Sequence, residues 1–395
     1  MRALASAVVH PIRPASVANQ PVSEPIFQGA AWSFASLAQA EEVFSGSAVG
    51  IAHRSHGSPN HRLLESLFME LEGAESCVTA AGGMAALAAV LWTLLEPGKH
   101  VVASHDLFGI TQALLRDMQR WGIATTFVEA SDLAAVANAF SDSTRLVLVE
   151  TISNPRMRVP DIGALTTLAH QHGACLVVDN TLAGPYHCRP LRLGCDVVVE
   201  SATKTLAGHH DVVLGAIAGS SQLVEPIRAF IDRSGLAAGA FDAWLARRGT
   251  VTYVVREERA TANAAHLADW LAEQTGILAV HYPGRADHAD NAVARRTLEH
   301  GFGSMLSFEL DTSRVDVHAF LAALDAAGIH LVHSLGGAMT SLSHAVTMTH
   351  RLLAEDRRRE LGLHMGFIRM SVGIEAITDL ASAVGNAFAA SVVRS

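Results

Sequence analysis

Four short apolar runs constrain this chain more than anything else in its 395 residues. They are His100-Val101-Val102-Ala103, Arg145-Leu146-Val147-Leu148-Val149, Ala174-Cys175-Leu176-Val177-Val178 and Asp196-Val197-Val198-Val199. Each is apolar at consecutive positions, so both faces of each strand have to be covered. Helix-like stretches, Ile110 to Trp121 and Ile162 to His172, lie between them. Such alternation predicts an α/β fold, a mostly parallel sheet with helices on both faces. Sheets of this kind bind their ligands beyond the C-terminal ends of the strands.

The rest of the chain is arranged around that segment. Residues 1–60 read as an extended arm rich in Pro, Ser and Gly, with one strand-like piece at Pro25-Ile26-Phe27. The run NHRLLESLFMELEG follows, a helix whose Leu63, Leu64, Leu67 and Leu71 fall on one face, with Gly73 as its stop. Residues 61–250 form the α/β domain, and residues 251–395 a smaller α+β domain. The latter opens on a long helix, Val255 to Thr275, and holds strand-like runs at Met305–Leu310 and Phe367–Val372.

Composition excludes several roles. A net charge of -9 without any basic run argues against nucleic acid and anionic membranes as partners. In MRALASAVVHPIRP, His10 and Pro11 interrupt the apolar run too early for a signal peptide. The longest apolar helix, Met84 to Leu95, is too short to span a bilayer. Cys77, Cys175, Cys188 and Cys195 have no C-x-x-C spacing and read as free thiols of a cytoplasmic protein. No metal is expected: His53, His56 and His61, or His209 and His210, lack ligand spacing and read as surface or network residues.

Polar residues gather where the sheet should present its ligands. ETISNP, from Glu150 to Pro155, ends one strand; Asp179-Asn180-Thr181 ends another; Ser201, Thr203 and Lys204 end a third. Gly82-Gly83-Met84 opens an apolar helix, and bare glycines at a helix N-terminus leave N–H groups free for a phosphate. A phosphate cradle, an acid and a lysine together suit pyridoxal 5′-phosphate, whose ring nitrogen takes the carboxylate and whose aldehyde takes the lysine as a Schiff base. Taken singly, each has a plainer reading: Asp179 as a helix cap, Lys204 as a solvated strand end. Ser201-Ala202-Thr203-Lys204 also matches the S-x-x-K of serine acyl-enzymes, but the required S-D-N and K-T-G are missing.

LEGAESCVTAAGGMAAL, DLFGIT, ETISNP, VVDNT, DVVVESATKTLAGHHD, GFGSMLSFEL and IRMSVGIEAITDL occur in that order. In them the chain resembles the cystathionine γ-synthase family, pyridoxal-phosphate enzymes of cysteine and methionine metabolism, from Pro25 to about Leu380. The resemblance implies a fold type I transferase. Lys204 would be the Schiff-base lysine and proton shuttle, and Asp179 the partner of the pyridinium nitrogen. Gly83, Met84, Ser201 and Thr203 would hold the phosphate, and Phe108 would stack on the ring. Asn154, Ser334 and Arg369 would bind the substrate carboxylate.

Three departures from the family pattern stand out. A Tyr-x-Arg reaching a neighbouring subunit's phosphate is replaced by His53-Arg54-Ser55, which leaves Arg54 for the task and implies a homodimer or homotetramer. Phe108 stands where many relatives have a tyrosine whose phenol assists the leaving group. His333 precedes Ser334 where cystathionine-handling relatives often have Glu. The implied activity is γ-replacement or γ-elimination on an O-acylhomoserine or a homocysteine, methionine or cystathionine type of substrate. A β-lyase releasing pyruvate is the alternative, and a cofactor-binding protein with little turnover is the third.

Overall fold

In the computed structural model, residue 19 and residues 21–351 and 355–393 are described. The MRALASAVVHPIRP stretch lies outside them. The four apolar runs become β2 (His100–Ser104), β4 (Thr144–Glu150), β5 (Cys175–Asp179) and β6 (Val197–Ser201). With β1 (Ser76–Ala80), β3 (Ala124–Val128) and β7 (Gly215–Gly219) they form a seven-stranded sheet, ordered β1-β7-β6-β5-β4-β2-β3. The pairs from β3 to β6 are parallel; β7 runs antiparallel to both β6 and β1.

Side chains of the strands alternate between two cores. Val101, Leu146, Leu148, Val177, Val197 and Val199 pack on one face, against the Gly83–Leu94 and Gly109–Met118 helices. Val102, Val147, Val149, Leu176, Val178 and Val198 pack on the other, against the Ile162–Gln171 helix. Two buried faces explain why the strands are apolar at every position.

A second sheet follows, ordered β10-β11-β12-β9-β8 and mostly antiparallel. Its strands are β8 (Ile277–His281), β9 (Met305–Leu310), β10 (His330–Leu331), β11 (Ser341–His344) and β12 (Phe367–Ser371). The preceding long helix spans Tyr253–Ala272 and lays Ala264, Leu267 and Leu271 on Leu306, Phe308 and Met370.

Two sequence expectations need correction. Pro25-Ile26-Phe27 is not a strand; Asn60 holds it instead, accepting the Phe27 N–H at 2.8 Å and donating to the Pro25 carbonyl at 2.9 Å. The Pro59–Glu72 helix buries its leucine stripe only in part: Leu64 is inside, Leu67 and Leu71 are half-buried and Leu63 is exposed, while His61, Glu65, Phe68 and Glu72 join the inward face. Glu65 is buried because it accepts the Thr79 N–H at 2.9 Å and pairs with Arg228 at 3.1 Å, which offsets its desolvation. His61 is likewise buried and hydrogen-bonds Ser58 and the Ala238 carbonyl.

Candidate active site

A cavity of about 590 Å³ opens where the strand ends of the first sheet face the second. The first sheet supplies Glu150, Asp179, Ser201, Thr203 and Lys204; the second sheet's segments supply His333, Ser334 and Arg369. Gly83, Met84, Phe108 and Asn154 also line it. All the expected site residues therefore meet in one place except Arg54. That residue sits in the short 3-10 turn Arg54–His56, its N–H on the Ala30 carbonyl at 2.9 Å, and does not line the cavity of its own chain.

Lys204 is partly buried, with Nζ donating to the Ser334 hydroxyl at 2.9 Å. Burial, with Arg369 adding repulsion, pulls its ammonium down to about 8. Neutral amine is thus available near physiological pH, as a nucleophile or base requires. Arg369 is centred on β12, paired with Ser343 on β11 and Ser307 on β9, so its position is fixed by two neighbouring strands. Its guanidinium donates to Asn154 Oδ1 at 3.2 Å and to the Ser334 carbonyl at 2.8 Å. Among the described residues its Nε is buried without a partner. A buried donor left unpaired is costly, and burial lowers this guanidinium to about 10. A carboxylate entering the cavity would supply the missing acceptor and the counter-charge.

Asp179 ends β5 and accepts the Thr181 N–H at 3.0 Å. Burial raises its carboxyl above the usual range, against the opposing pull of Thr181. Among the described residues it has no ion-pair partner, so the floor of the cavity lacks a cation. The glycine pair Gly82-Gly83 starts the Gly83–Leu94 helix, where the first intrahelical bond, Ala86 N–H to Gly82, spans 2.9 Å and leaves the preceding N–H groups free. A Cβ on Gly83 would stand 2.7 Å from the Ser201 Cβ, closer than packed carbons come. Among the described residues Ser201 keeps its hydroxyl free, whereas the Thr203 hydroxyl donates to the Leu214 carbonyl at 3.2 Å and accepts its N–H at 2.9 Å.

Pyridoxal phosphate fits these residues. The helix N-terminus and Ser201 suit the phosphate, unpaired Asp179 suits a protonated ring nitrogen, and Lys204 suits the aldehyde. Gly83→Ala should therefore weaken cofactor binding at least tenfold, measured as the dissociation constant from absorbance titration of the apoprotein; unchanged affinity would remove this helix end from the phosphate site.

Sequence reasoning named Glu150 without giving it a task. The parallel register sets it beside Asp179, and its Oε1 accepts the Phe108 N–H at 2.6 Å, fixing the residue expected to cover the ring. Burial and the nearby Asp179 charge raise Glu150 well above the ordinary carboxyl range. Strand register is what reveals this pairing, and register cannot be read from one strand alone. Elsewhere, the ligand-type atoms of His105, Asp106 and Glu129 lie within 4.8 Å of one another, but Arg156 and Arg158 already pair with the two acids at 3.3 Å.

L-methionine gamma-lyase of Pseudomonas putida is 37% identical over 370 residues, covering 93% of this chain and 92% of that one. O-succinylhomoserine sulfhydrylase of Pseudomonas aeruginosa is 34% identical, covering 93% and 91%. The crystal structure of cystathionine gamma synthase from Xanthomonas oryzae in complex with cystathionine superposes with a TM-score of 0.88 at 32% identity, covering 93% of each chain. The family model described as Cys/Met metabolism PLP-dependent enzyme matches residues 5–389. The family model, the relatives and the fold agree: the chain belongs to the pyridoxal-phosphate-dependent enzymes of cysteine and methionine metabolism.

Proposed function

We propose that this site carries out γ-elimination or γ-replacement on an O-acylhomoserine or a sulfur amino acid. One observation carries the reading. Lys204 Nζ and the unpaired edge of Arg369 belong to a single cavity and are joined through Ser334, whose hydroxyl accepts from one and whose carbonyl accepts from the other. An amino acid whose carboxylate is clamped by Arg369 and Asn154 therefore presents its α-carbon toward Lys204.

Pyridoxal phosphate supplies the electron sink for charge that develops on the substrate. The chain's own residues do the rest. Lys204 takes the proton from Cα and later one from Cβ, which lets a γ-substituent depart. Asp179 holds a proton on the ring nitrogen. Phe108 covers the ring and, lacking a phenol, donates no proton to the leaving group. Addition of a thiol at Cγ gives replacement; return of a proton to Cγ instead, followed by hydrolysis of the released enamine, gives a 2-oxo acid and ammonia.

Assembly into at least a homodimer, and a homotetramer in the fuller form, belongs to this reading. Arg54 is absent from its own cavity, whose phosphate end has Ser201 but no arginine. Phe241 and Val255 on neighbouring helices, and Val251 in the turn between them, leave apolar surface exposed, at 46%, 68% and 71%. We place the arm of residues 1–60 against the neighbouring subunit and the protein in the cytoplasm. Its four cysteines are all free, and among the described residues no helix is long and apolar enough to cross a membrane.

The test is to offer the cofactor-loaded protein O-acetyl- and O-succinyl-homoserine, L-cystathionine and L-methionine, with and without sulfide, and to identify products by mass spectrometry. 2-Oxobutyrate, homocysteine or a new thioether is expected. Pyruvate alone would transfer the protein to the β-lyases, and a spectral change without product would make it a cofactor-binding protein with little turnover.

A further inference from the structure

We propose that Glu72 and Glu200 share one proton beneath the cavity and, through Asn180, position Asp179 and Ser201 for the cofactor. Neither acid takes part in the reaction described above; both act through the strand ends that carry the site. The inference rests on Asp179 and Ser201 meeting pyridoxal phosphate, and not on which substrate is converted.

Asp179 and Ser201 line the cavity, whereas their chain neighbours Asn180 and Glu200 turn away from it, as alternation along a strand requires. There they meet Glu72, the last residue of the Pro59–Glu72 helix. All three are buried: Asn180 is 0%, Glu72 3% and Glu200 4% exposed. The Asn180 amide nitrogen lies 3.0 Å from Glu200 Oε1, 3.3 Å from Glu72 Oε1 and 2.9 Å from the Cys188 carbonyl. Its two N–H groups cannot fully serve three acceptors. Among the described residues Glu72 Oε2 is buried with no donor at all. The two carboxyl groups are themselves in hydrogen-bond contact. Ionised carboxylates only accept, so that contact needs a proton on one of them. A single shared proton supplies the missing donor and leaves the pair with one charge instead of two.

The surroundings leave that task to the proton. Arg189 attracts Glu72, while Asp179 repels Glu200. Cys77, Cys188, Cys195 and Tyr253 also face the pair, and burial together with these acids pushes all four upward, away from ionisation. The gap beside the two acids is about 10 Å³ and is walled by Phe68, Pro185, Val198 and two alanines, too small and too apolar for a hydrated cation. Loss of the proton would set two buried like charges face to face. The displacement would reach the site through few bonds. The Asn180 Oδ1 accepts the Thr151 hydroxyl at 2.7 Å, and the Thr151 N–H donates to the Asp179 carbonyl at 3.0 Å. On the other strand, the Ser201 N–H donates to the Thr181 hydroxyl at 2.8 Å, and the Asn180 N–H to the Val199 carbonyl at 2.9 Å. Asp179 and Ser201 are therefore tied to the two groups that the proton holds together.

The test compares the native chain with Glu200→Gln and with the double variant Glu72→Gln/Glu200→Gln. In the single variant the amide offers an N–H to Glu72 and keeps an oxygen for Asn180, so the bonds stay and the titration goes. The double variant removes both acids, and melting temperature shows that each chain is folded. Affinity for pyridoxal phosphate is read from absorbance titration of the apoproteins between pH 7 and pH 10. Lys204 and the phosphate titrate in all three chains, so the ratio of affinities isolates the pair. Native affinity should fall relative to both variants as pH rises, by about tenfold for each pH unit beyond the point where the shared proton leaves. Difference infrared spectra at pH 7 should show one protonated-carboxyl band in the native apoprotein that Glu200→Gln lacks. A ratio of affinities that stays constant across the range overturns the proposal, and so does a band that Glu200→Gln retains in full. Packing alone would move neither readout. The expected ratio and band in a protein that converts no ester or sulfur amino acid would sustain the positioning pair and remove the γ-reaction instead.

Discussion

Lys204→Ala should abolish turnover, by about a thousandfold or more, on every substrate that the native enzyme converts. The lysine has three tasks: it captures the cofactor covalently, it takes the α-proton, and it returns protons along the substrate. Proton transfer by a positioned group is typically worth 10²–10⁴-fold. The fold should survive, because Nζ makes one hydrogen bond, to Ser334, and the side chain is only partly buried. Melting temperature is thus the control, and a loss of activity without a large loss of stability is the expected pattern. A second readout tests the lowered ammonium directly. Its proton leaves at about 8, so covalent capture of pyridoxal phosphate by the apoprotein should speed up as pH rises toward that value and level off above it. Near-normal turnover in Lys204→Ala would sink the assignment. Capture that keeps accelerating above pH 10 would mean that burial and Arg369 do not act on the amine as the cavity implies.

Much of this arrangement was legible in the sequence, for identifiable reasons. Strands such as Leu146–Val149 and Val197–Val199 were readable because a sheet covered on both faces needs apolar side chains at consecutive positions. Lys204 and Asp179 were readable because each directly follows or ends such a strand. The helix Pro59–Glu72 shows where this reasoning fails. Periodicity treats a glutamate as a solvent residue, yet Glu65 and Glu72 face inward, held by Thr79 and Arg228 in one case and by Asn180 at 3.3 Å in the other. Their burial depends on partners distant in sequence. The same holds for Glu150 beneath the Phe108 backbone and for Arg369, which reaches the site from a different sheet. Resemblance named Arg369; the amphipathic pattern around it would have left it as a strand residue. What a single sequence conceals here is register and the juxtaposition of two sheets.

Asp179→Asn should cut kcat by roughly a thousandfold while making the empty protein more stable. The two effects have one origin. In the absence of the cofactor, Asp179 is a carboxylate at the cavity floor with no cation beside it, and burial raises its proton affinity above that of the unfolded chain. A carboxyl whose folded-state pKa is raised binds its proton more tightly when folded. Stability is therefore lost as pH climbs above the unfolded value near 4 and stays lost at neutrality. Asparagine keeps the shape and the Thr181 N–H contact at its remaining carbonyl oxygen, and it removes the uncompensated charge. The apoprotein variant should melt on the order of 2 °C higher at pH 7, with the difference vanishing near pH 4. With cofactor the sign reverses. A charged Asp179 keeps a proton on the ring nitrogen, whereas an amide cannot, so the electron sink weakens and so does the attraction that helped hold the ring. Cofactor affinity should fall at least tenfold, and the melting temperature gained by adding pyridoxal phosphate should shrink. If the variant apoprotein proves less stable at neutral pH, or if cofactor binding adds as much stability as in the native chain, then Asp179 is a structural cap on Thr181 rather than the counter-charge of the ring. An amide at that position separates the two roles, because it can serve a cap and cannot serve a cation.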